Sequence, residues 1–493
     1  MAKGNTLLAF ICVFACISLL ASATDERRQS RLTQAQQCRI QRLTASQPSQ
    51  RIDNEGGSIE MWEQKDDMFQ CAGVAAFRYT VKANGLSLPH YHPSPRLLFI
   101  EKGEGLISIN FPGCPETFES ESESMFMGRQ SSDEKSEGRE GRDSHQKVHR
   151  VRKGDIVAIP SGVAYWCFND GTQDLVAVAV NDLNQNVNQL DQQFRSFYMA
   201  GGMPKQQRQT RFTAHEAEKK EYFENILEHF DTELMAEALE MPVELMRKIQ
   251  QGEQSKKGFI VTVREGMRMI KPDEREQQNG LEESSWCSMK IRHNLESRQQ
   301  SDVYSRQGGR LYVVNQNKLP LLRLLDMSAE KGEVFPNAMY SPSWNMNGHS
   351  VVYVTKGEAE VRIVDQSGQA IMNERVREGD MFVCPQFFVV TSQAGKEGFE
   401  WVAFKTTSSP MKSPLAGYTS VMRAMPLQVI VNSYQVSTSQ AKDLNLLLNQ
   451  ASLGWVTLLA PLLSELLIVA KAFGCLLRRL SHDVPTLDQP PLD

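Results

Sequence analysis

The residues of this chain best suited to chemistry are two histidines one position apart, His90 and His92, in the stretch "LPHYHPSPRLLFIEKGEG". In an extended strand alternate side chains share a face, so both imidazoles can reach a single ion. Two ligands alone hold a metal poorly. Zinc, manganese, copper and iron sites take three or four, often with a carboxylate among them, so the rest of the chain must supply the others. No nucleophile beside a base, no glycine-rich phosphate loop and no Cys-x-x-Cys pair offers a second chemistry.

The elements that must position these histidines belong to a chain of 493 residues, long enough for two or three domains, with an ordinary globular balance of 41 % hydrophobic and 23 % charged residues. A net charge of -5 gives no electrostatic reason to expect nucleic acid as a partner. At the start, Lys3 precedes an apolar run from Leu7 to Leu20 and then Ala21-Ser22-Ala23, the layout of a secretory signal peptide with its cut between Ala23 and Thr24. That run is too short to span a bilayer comfortably, and no membrane association is expected of the mature chain. Secretion admits disulfides, and loss of Cys12 and Cys16 with the signal leaves Cys38, Cys71, Cys114, Cys167, Cys287, Cys384 and Cys475. Cys167 and Cys384 sit in apolar runs as buried thiols would; Cys38, Cys71, Cys114 and Cys287 lie in more polar surroundings, and their spacing leaves all three pairings open.

The chain repeats itself. "LLFIEKGEGLISI" (97–109) matches "VVYVTKGEAEVRI" (351–363), each an apolar strand, a Lys-Gly-Glu turn and a second strand. "RKGDIVAIPSG" (152–162) then matches "REGDMFVCPQF" (377–387), with Gly-Asp opening a strand that ends at proline. Gly103 and Gly154 are 51 residues apart, Gly357 and Gly379 only 22, and the excess falls in "ETFESESESMFMGRQSSDEKSEGREGRDSHQ", which reads as an exposed loop. Each copy is followed by a helical pattern: 225–250, interrupted at Met241-Pro242, and 420–444, where Ser437 and Gln440 form a capping box. The stretch 271–302 between the copies is polar and reads as a flexible linker.

A Lys-Gly-Glu hairpin followed by G-D-x-x-x-x-P resembles the two boxes of the cupin barrel, and the duplication resembles a bicupin. "FPGCPETF", "NQLDQQFRSFYMAGG", "NGLEESSWCSMKIRHN" and "GFEWVAFKTTSSPMKSPLAGYTSVMRAMP" narrow the resemblance to the legumin-type, or 11S, seed storage globulins, over about Gln37 to Leu444. The fold so implied is mainly β: two jelly-roll β-barrels, each followed by a helical arm. The expected organisation is a signal peptide (1–23), a first cupin domain with its arm (24–270) and an acidic loop insertion at about 119–147, a polar linker with the processing site (271–302), a second cupin domain with its arm (303–444), and a leucine-rich tail (445–493).

In metal-binding cupins the first box carries two histidines with a glutamate four residues on, and the second box adds a third histidine. His90 and His92 fit the first two places, but Arg96 stands where the glutamate would be and Tyr165 where the third histidine would be. A guanidinium is always charged, only donates, and repels a cation. Superposing Gly357 on Gly103 sets Trp344 and Met346 opposite the histidines, Ser350 opposite Arg96 and Val390 opposite Tyr165. A metal-free barrel without cofactor, and no enzyme, is therefore expected. His349 is read as a loop or pocket-rim residue.

The resemblance implies a nutrient reservoir made as a proprotein, cut once after Asn279, before Gly280, by an asparaginyl endopeptidase, and assembled with itself as homotrimers and then hexamers in protein storage vacuoles of the seed. It also implies bridges Cys38–Cys71 and Cys114–Cys287, with Cys167 and Cys384 reduced and Cys475 undetermined. Residues 24–279 carry 33 Lys and Arg against 39 Asp and Glu, whereas 280–493 carry 20 of each, neutral where the family's second chain is basic. The tail departs from the family's short polar end and is read as an altered reading frame or retained intron; Pro461, Glu465 and Lys471 interrupt any membrane span in it. Two alternatives stand beside storage: a germin-like metal enzyme on His90 and His92, and a small-ligand-binding cupin for a sugar or hormone, suggested by Trp344.

Overall fold

A computed structural model describes residues 40–112, 148–202, 225–251, 258–264, 267, 289–297, 301–450 and 455–457. Ala23, Thr24, Cys38, Cys114, Asn279, Gly280, Cys287, Cys475 and the insertion at 119–147 lie outside these residues.

Strands of the first half are short and apolar. Arg96–Lys102 carries the run Leu97 to Ile100, buried on both faces because it lies in the middle of a sheet. That sheet sets Gln50–Asn54, Gly57–Met61, Val74–Val81, Leu175–Asp182, Arg96–Lys102, Asp155–Ile159 and Arg292–Asn294 side by side, every pair antiparallel. A second sheet orders Phe197–Tyr198, Gly85–Tyr91, Ala164–Phe168, Glu104–Asn110 and His149–Arg152, with Ile260–Thr262 also paired to Gly85–Tyr91.

The Lys-Gly-Glu turn is a corner and not a hairpin. The chain leaves the first sheet at Lys102 and enters the second at Glu104, so the two strands beside Gly103 pair with different neighbours. Gly103 has φ +79°, and a Cβ there would stand 2.4 Å from the Asp174 carbonyl oxygen, so both conformation and space require glycine. In the second half the same corner falls within one strand, Ser350–Val364, at Gly357. The Gly-Asp boxes work through the aspartate. Asp155, fully buried, accepts from the Arg152 amide at 2.9 Å, and Asp380 accepts from the Arg377 amide at 2.8 Å, closing the turn that starts each strand.

The second half repeats the plan: Ser350–Val364 and Val389–Lys405 pair along most of their length, flanked by Ser328–Val334, Ala338–Asn345, Ala370–Arg377 and Met381–Cys384. The molecule is therefore mainly β, two jelly-roll barrels each followed by helices. Thr232–Ala238 and Val243–Gln251 form the first arm, the latter starting just after Pro242; Val421–Ala424, Leu427–Tyr434 and Thr438–Gln450 form the second. The capping box at the last helix is present, with the Ser437 amide donating to Gln440 Oε1 at 2.9 Å and the Gln440 amide to Ser437 Oγ at 3.2 Å.

The halves meet through Tyr353, whose hydroxyl donates to Glu101 Oε1 at 2.9 Å while its ring meets Trp62 edge-on at 6.0 Å. Part of the expected linker is ordered β structure: Arg292–Asn294 extends the first barrel's sheet, and Asp155 takes Arg292 Nη1 at 3.2 Å and Asn294 Nδ2 at 2.8 Å. A buried carboxylate needs such donors, which is why these polar residues are held in place. Beyond 444 the last helix continues to Gln450, and Trp455–Thr457 pairs with Ala338 to Tyr340. Among the described residues no helix is long and apolar enough to cross a membrane.

Candidate functional site

Both histidines face the interior of the first barrel. Gly85–Tyr91 puts His90 inward, and the chain continues extended far enough to do the same with His92; each is 2 % exposed. His90 Nδ1 lies 2.9 Å from the Leu88 carbonyl and His92 Nδ1 3.0 Å from that of Arg195. A carbonyl only accepts, so both Nδ1 atoms carry the proton and both Nε2 atoms present lone pairs. Those lone pairs converge on the Tyr165 hydroxyl, 2.7 Å from His90 and 3.3 Å from His92. Arg96 Nη1 donates to the same hydroxyl at 2.5 Å, so Tyr165 gives its one proton to His90 and accepts from Arg96. Arg96 Nε donates to Asn181 Oδ1 at 2.8 Å.

Burial shapes the electrostatics. Burial first and the Arg96 charge second press His90 down to about 3, and the same two causes hold His92 well below the ordinary histidine value. Both are neutral at any physiological pH. Burial also raises Tyr165, so it is a phenol and not a phenolate.

This arrangement does not suit a metal ion. The imidazoles converge as ligands would, but the point they share is filled by a phenol hydroxyl, and the guanidinium beside it would face the cation. Among the described residues no group of three or more His, Cys, Asp or Glu is arranged so that it could hold a metal ion. Sequence reasoning brought His90, His92, Arg96 and Tyr165 to one place, and the structure does so too.

In the second barrel the superposition needs correcting. The Gly162 amide donates to the His92 carbonyl, and the Phe387 amide donates to that of Asn345; Gly162 and Phe387 share φ of +72° and +71°. Tyr165 is opposite His90 on the neighbouring strand, as Val390 is opposite Ser343. Ser343 and Asn345, not Trp344 and Met346, therefore stand where the histidines do, while Ser350 and Val390 keep the places expected of them. One extra residue between Asn345 and Ser350 causes the offset, and with a period of two a slip of one exchanges inward for outward. Trp344 is half-buried and Met346 exposed. His349 sits partly buried between loops, its Nδ1 accepting from the Gln386 amide at 3.3 Å, and burial lowers it to about 4.

The second barrel holds a polar cluster that sequence reasoning missed. Lys405, 2 % exposed, donates to Ser350 Oγ at 2.8 Å and to Asn345 Oδ1 at 3.3 Å, and lies 3.5 Å from Glu330 Oε2. Lys412 pairs with the other oxygen of Glu330 and donates to the Tyr340 hydroxyl at 2.7 Å. Burial lowers Lys405 to about 8, while Lys405 and Lys412 together hold Glu330 below the usual carboxylate range against its burial. The available signal was a lone lysine ending the apolar run "WVAFK" and a glutamate inside "SAEKGEV".

Among the cysteines, Cys71 is disulfide-bonded, to a residue outside those described. Cys167 and Cys384 are free, and burial pushes both thiols up to about 12, so they are poor nucleophiles.

Comparison with known proteins places this geometry. The cupin family model matches the chain twice, at 43–220 and 293–442. The 11S globulin seed storage protein 2 of Sesamum indicum is 53 % identical over 89 % of this chain and 95 % of its own length. The 11S globulin of Juglans nigra is 37 % identical over 90 % of this chain and 94 % of its own. Among solved structures, the coconut allergen cocosin superposes with a TM-score of 0.73 at 35 % identity, covering 85 % of this chain and 100 % of that one. Procruciferin, the 11S globulin of Brassica napus, superposes with a TM-score of 0.72 at 35 % identity, covering 86 % of this chain and 98 % of that one.

Proposed function

We infer the role of this chain from its family: it belongs to the 11S globulins, whose named relatives are seed storage proteins, and it serves as a nutrient reservoir and not as an enzyme. The observation that carries this is the 53 % identity to a sesame storage globulin across nearly the whole length of both chains. The signal segment is removed between Ala23 and Thr24, the proprotein enters the secretory pathway and is stored in the seed's protein storage vacuoles, and it assembles with itself as trimers and then hexamers. An asparaginyl endopeptidase cuts after Asn279, where glycine at 280 leaves the scissile bond without a neighbouring side chain. The two pieces stay joined by Cys114–Cys287, and Cys38 is the partner of Cys71.

The ordered strand Arg292–Asn294 supports this reading in one respect. It lies 13 to 15 residues past the cut yet pairs with Asp155–Ile159, on the other side of it, so the second piece keeps a strand in the first piece's barrel. Seed protein is expected to run as one band without reductant and as two with it, the second beginning at Gly280. A single reduced band, or a new N-terminus elsewhere, would remove the processing from this account; absence of the protein from seed protein bodies would remove the storage role.

A further inference from the structure

The chain holds three Asn-Gly bonds, Asn84–Gly85, Asn279–Gly280 and Asn347–Gly348, and an enzyme that read only the dipeptide would treat them alike. The fold does not. A protease takes its substrate as an extended chain and, where it is specific for asparagine, draws that side chain into a pocket of its own. A bond that the fold holds must therefore open locally before it can be cut.

At Asn84–Gly85 the scissile peptide itself is hydrogen-bonded. The Asn84 carbonyl accepts from the Val263 amide at 2.9 Å, and the Gly85 amide donates to the Lys82 carbonyl at 2.8 Å. The Asn84 amide and the Gly85 carbonyl are both bonded to Asn169 at 2.9 Å, and Asn84 is left-handed, with φ +60°, as no extended substrate is. Asn347–Gly348 is held differently. Among the described residues neither the Asn347 carbonyl nor the Gly348 amide makes a main-chain hydrogen bond. The side chain carries the hold instead: Asn347 Nδ2 donates to the Ser409 carbonyl at 2.8 Å, and its Oδ1 accepts from the Met411 amide at 2.9 Å. Those are the atoms that an asparagine pocket would take. The loop around them leans chiefly on the segment 406–411, with the Met346 amide donating to the Met411 carbonyl at 2.9 Å and the His349 amide to Thr406 Oγ1 at 3.0 Å.

Given the asparaginyl processing inferred above, on which this reading rests, we propose that Asn347–Gly348 is a second asparaginyl cleavage site, closed in the folded protein and the first of the two held bonds to open. Cleavage adds one water across the Asn347 C–N bond and leaves a carboxylate on Asn347 and an amine on Gly348. The position of the bond gives the cut a consequence. Asn345 lies two residues before Asn347 and Ser350 two residues after Gly348, and both accept from the buried Lys405, at 3.3 and 2.8 Å. A cut between them divides the connection from Ala338–Asn345 to Ser350–Val364, so the two acceptors are no longer tethered to each other. Keeping Lys405 buried then becomes costlier, and the second barrel opens to further proteolysis. A reservoir that stays intact until one loop yields, and is then taken apart from that loop, suits the storage role.

The test treats the full-length protein with an asparaginyl endopeptidase in increasing urea and reads new N-termini by mass spectrometry, with a short Asn-Gly peptide as the control for protease activity. Gly280 is expected without urea, Gly348 next as urea rises, and Gly85 only with global unfolding. Met411→Pro removes the amide that holds Asn347 Oδ1, at a residue whose own side chain is half exposed. It is expected to be cut before Gly348 about fivefold faster than the native sequence, the factor that one lost hydrogen bond supplies. Protein cut at both bonds should melt lower than protein cut before Gly280 alone. Gly85 appearing before or together with Gly348, Gly348 appearing without urea as fast as Gly280, or an unchanged rate in Met411→Pro overturns the proposal. Absence of Gly280 removes the processing reading alone, because the order of Gly348 and Gly85 is read separately. The urea series needs no variant, so it decides the matter even where Met411→Pro fails to fold.

Discussion

The two barrels bury a cation in the same cross-strand pair, Arg96 opposite Asn181 in the first and Lys405 opposite Ser350 in the second, and treat it in opposite ways. In the second, Lys405 and Lys412 share Glu330, and Asn345 and Ser350 complete the coordination of Lys405. In the first, Arg96 is surrounded by aromatic rings, a phenol, a side-chain amide and two neutral imidazoles. The difference shows that duplication preserves the strand register far more strictly than the chemistry carried on it. A barrel interior tolerates a cation on either of two facing strands. The histidine pair, which looked like half a metal site, is one piece of the first barrel's solution: His90 accepts the hydrogen bond of the Tyr165 hydroxyl and so leaves the phenol oxygen to accept from Arg96.

The comparison breaks most visibly at Glu330. Glu330→Gln leaves Lys405 buried without its counter-charge, and a loss of about 3–5 kcal/mol is expected, read as a fall in the urea midpoint. A loss under about 1 kcal/mol would mean that the serine and asparagine suffice, and that the barrels are more alike than the carboxylate suggests. Tyr165→Phe is the counterpart in the first barrel. It removes the acceptor of Arg96 Nη1 and the donor to His90, and about 1–3 kcal/mol should be lost, without the collapse expected of the charge deletion.

Acid and alkali should separate the barrels. His90 titrates near 6.5 in the unfolded chain and at about 3 in the folded one, so between those values the unfolded state binds the extra proton and stability falls as the pH falls, by up to about 1.4 kcal/mol per unit. His90→Gln should flatten that acid limb. Lys405, lowered from 10.5 to about 8, acts at the other end: between those values the unfolded state again holds more protons, so stability rises with pH, and Lys405→Met should abolish the rise. Arg96 does not titrate and adds nothing to either limb. An acid limb unchanged in His90→Gln would show that the histidine is not buried as a neutral group.

The smallest effect is expected at Gly162. Its φ of +72° is matched by Phe387 at +71° in the second barrel, and a Cβ at Gly162 would meet nothing within 4 Å. Gly162→Asn should therefore cost no more than about 1 kcal/mol in a thermal melt. Gly103→Ala, with its Cβ against the Asp174 carbonyl, should cost clearly more. Equal losses would mean that the left-handed conformation, and not the space around it, sets the requirement.

Much of the fold was legible because it rests on local signals. The Lys-Gly-Glu and Gly-Asp pairs mark corners and strand starts, Ser437 and Gln440 mark a helix start, and continuous apolar runs such as Leu97 to Ile100 mark central strands. The corner at Gly103 was read as a hairpin, because sequence shows a turn but not which sheet receives the strand that follows it. The site was legible in part: a two-residue spacing put His90 and His92 together, and the box pattern added Arg96 and Tyr165. The cluster of Glu330, Lys405 and Lys412 was not, because its members lie 75 and 7 residues apart and meet only through pairing of Ser328–Val334 with Val389–Lys405 and of Lys412–Pro414 with Ala338–Asn345.

By itself the sequence determined the duplication and which ionisable side chains are present, and the resemblance of its motifs to a known family implied the barrel class, since none of these depends on distant contacts. Only the tertiary structure decided which of those side chains face inward together. The reason is the two-residue period of a strand: a single extra residue between Asn345 and Ser350 turns Trp344 and Met346 away from the interior and brings Asn345 in against Lys405, and no local pattern reports a register set by a neighbouring strand.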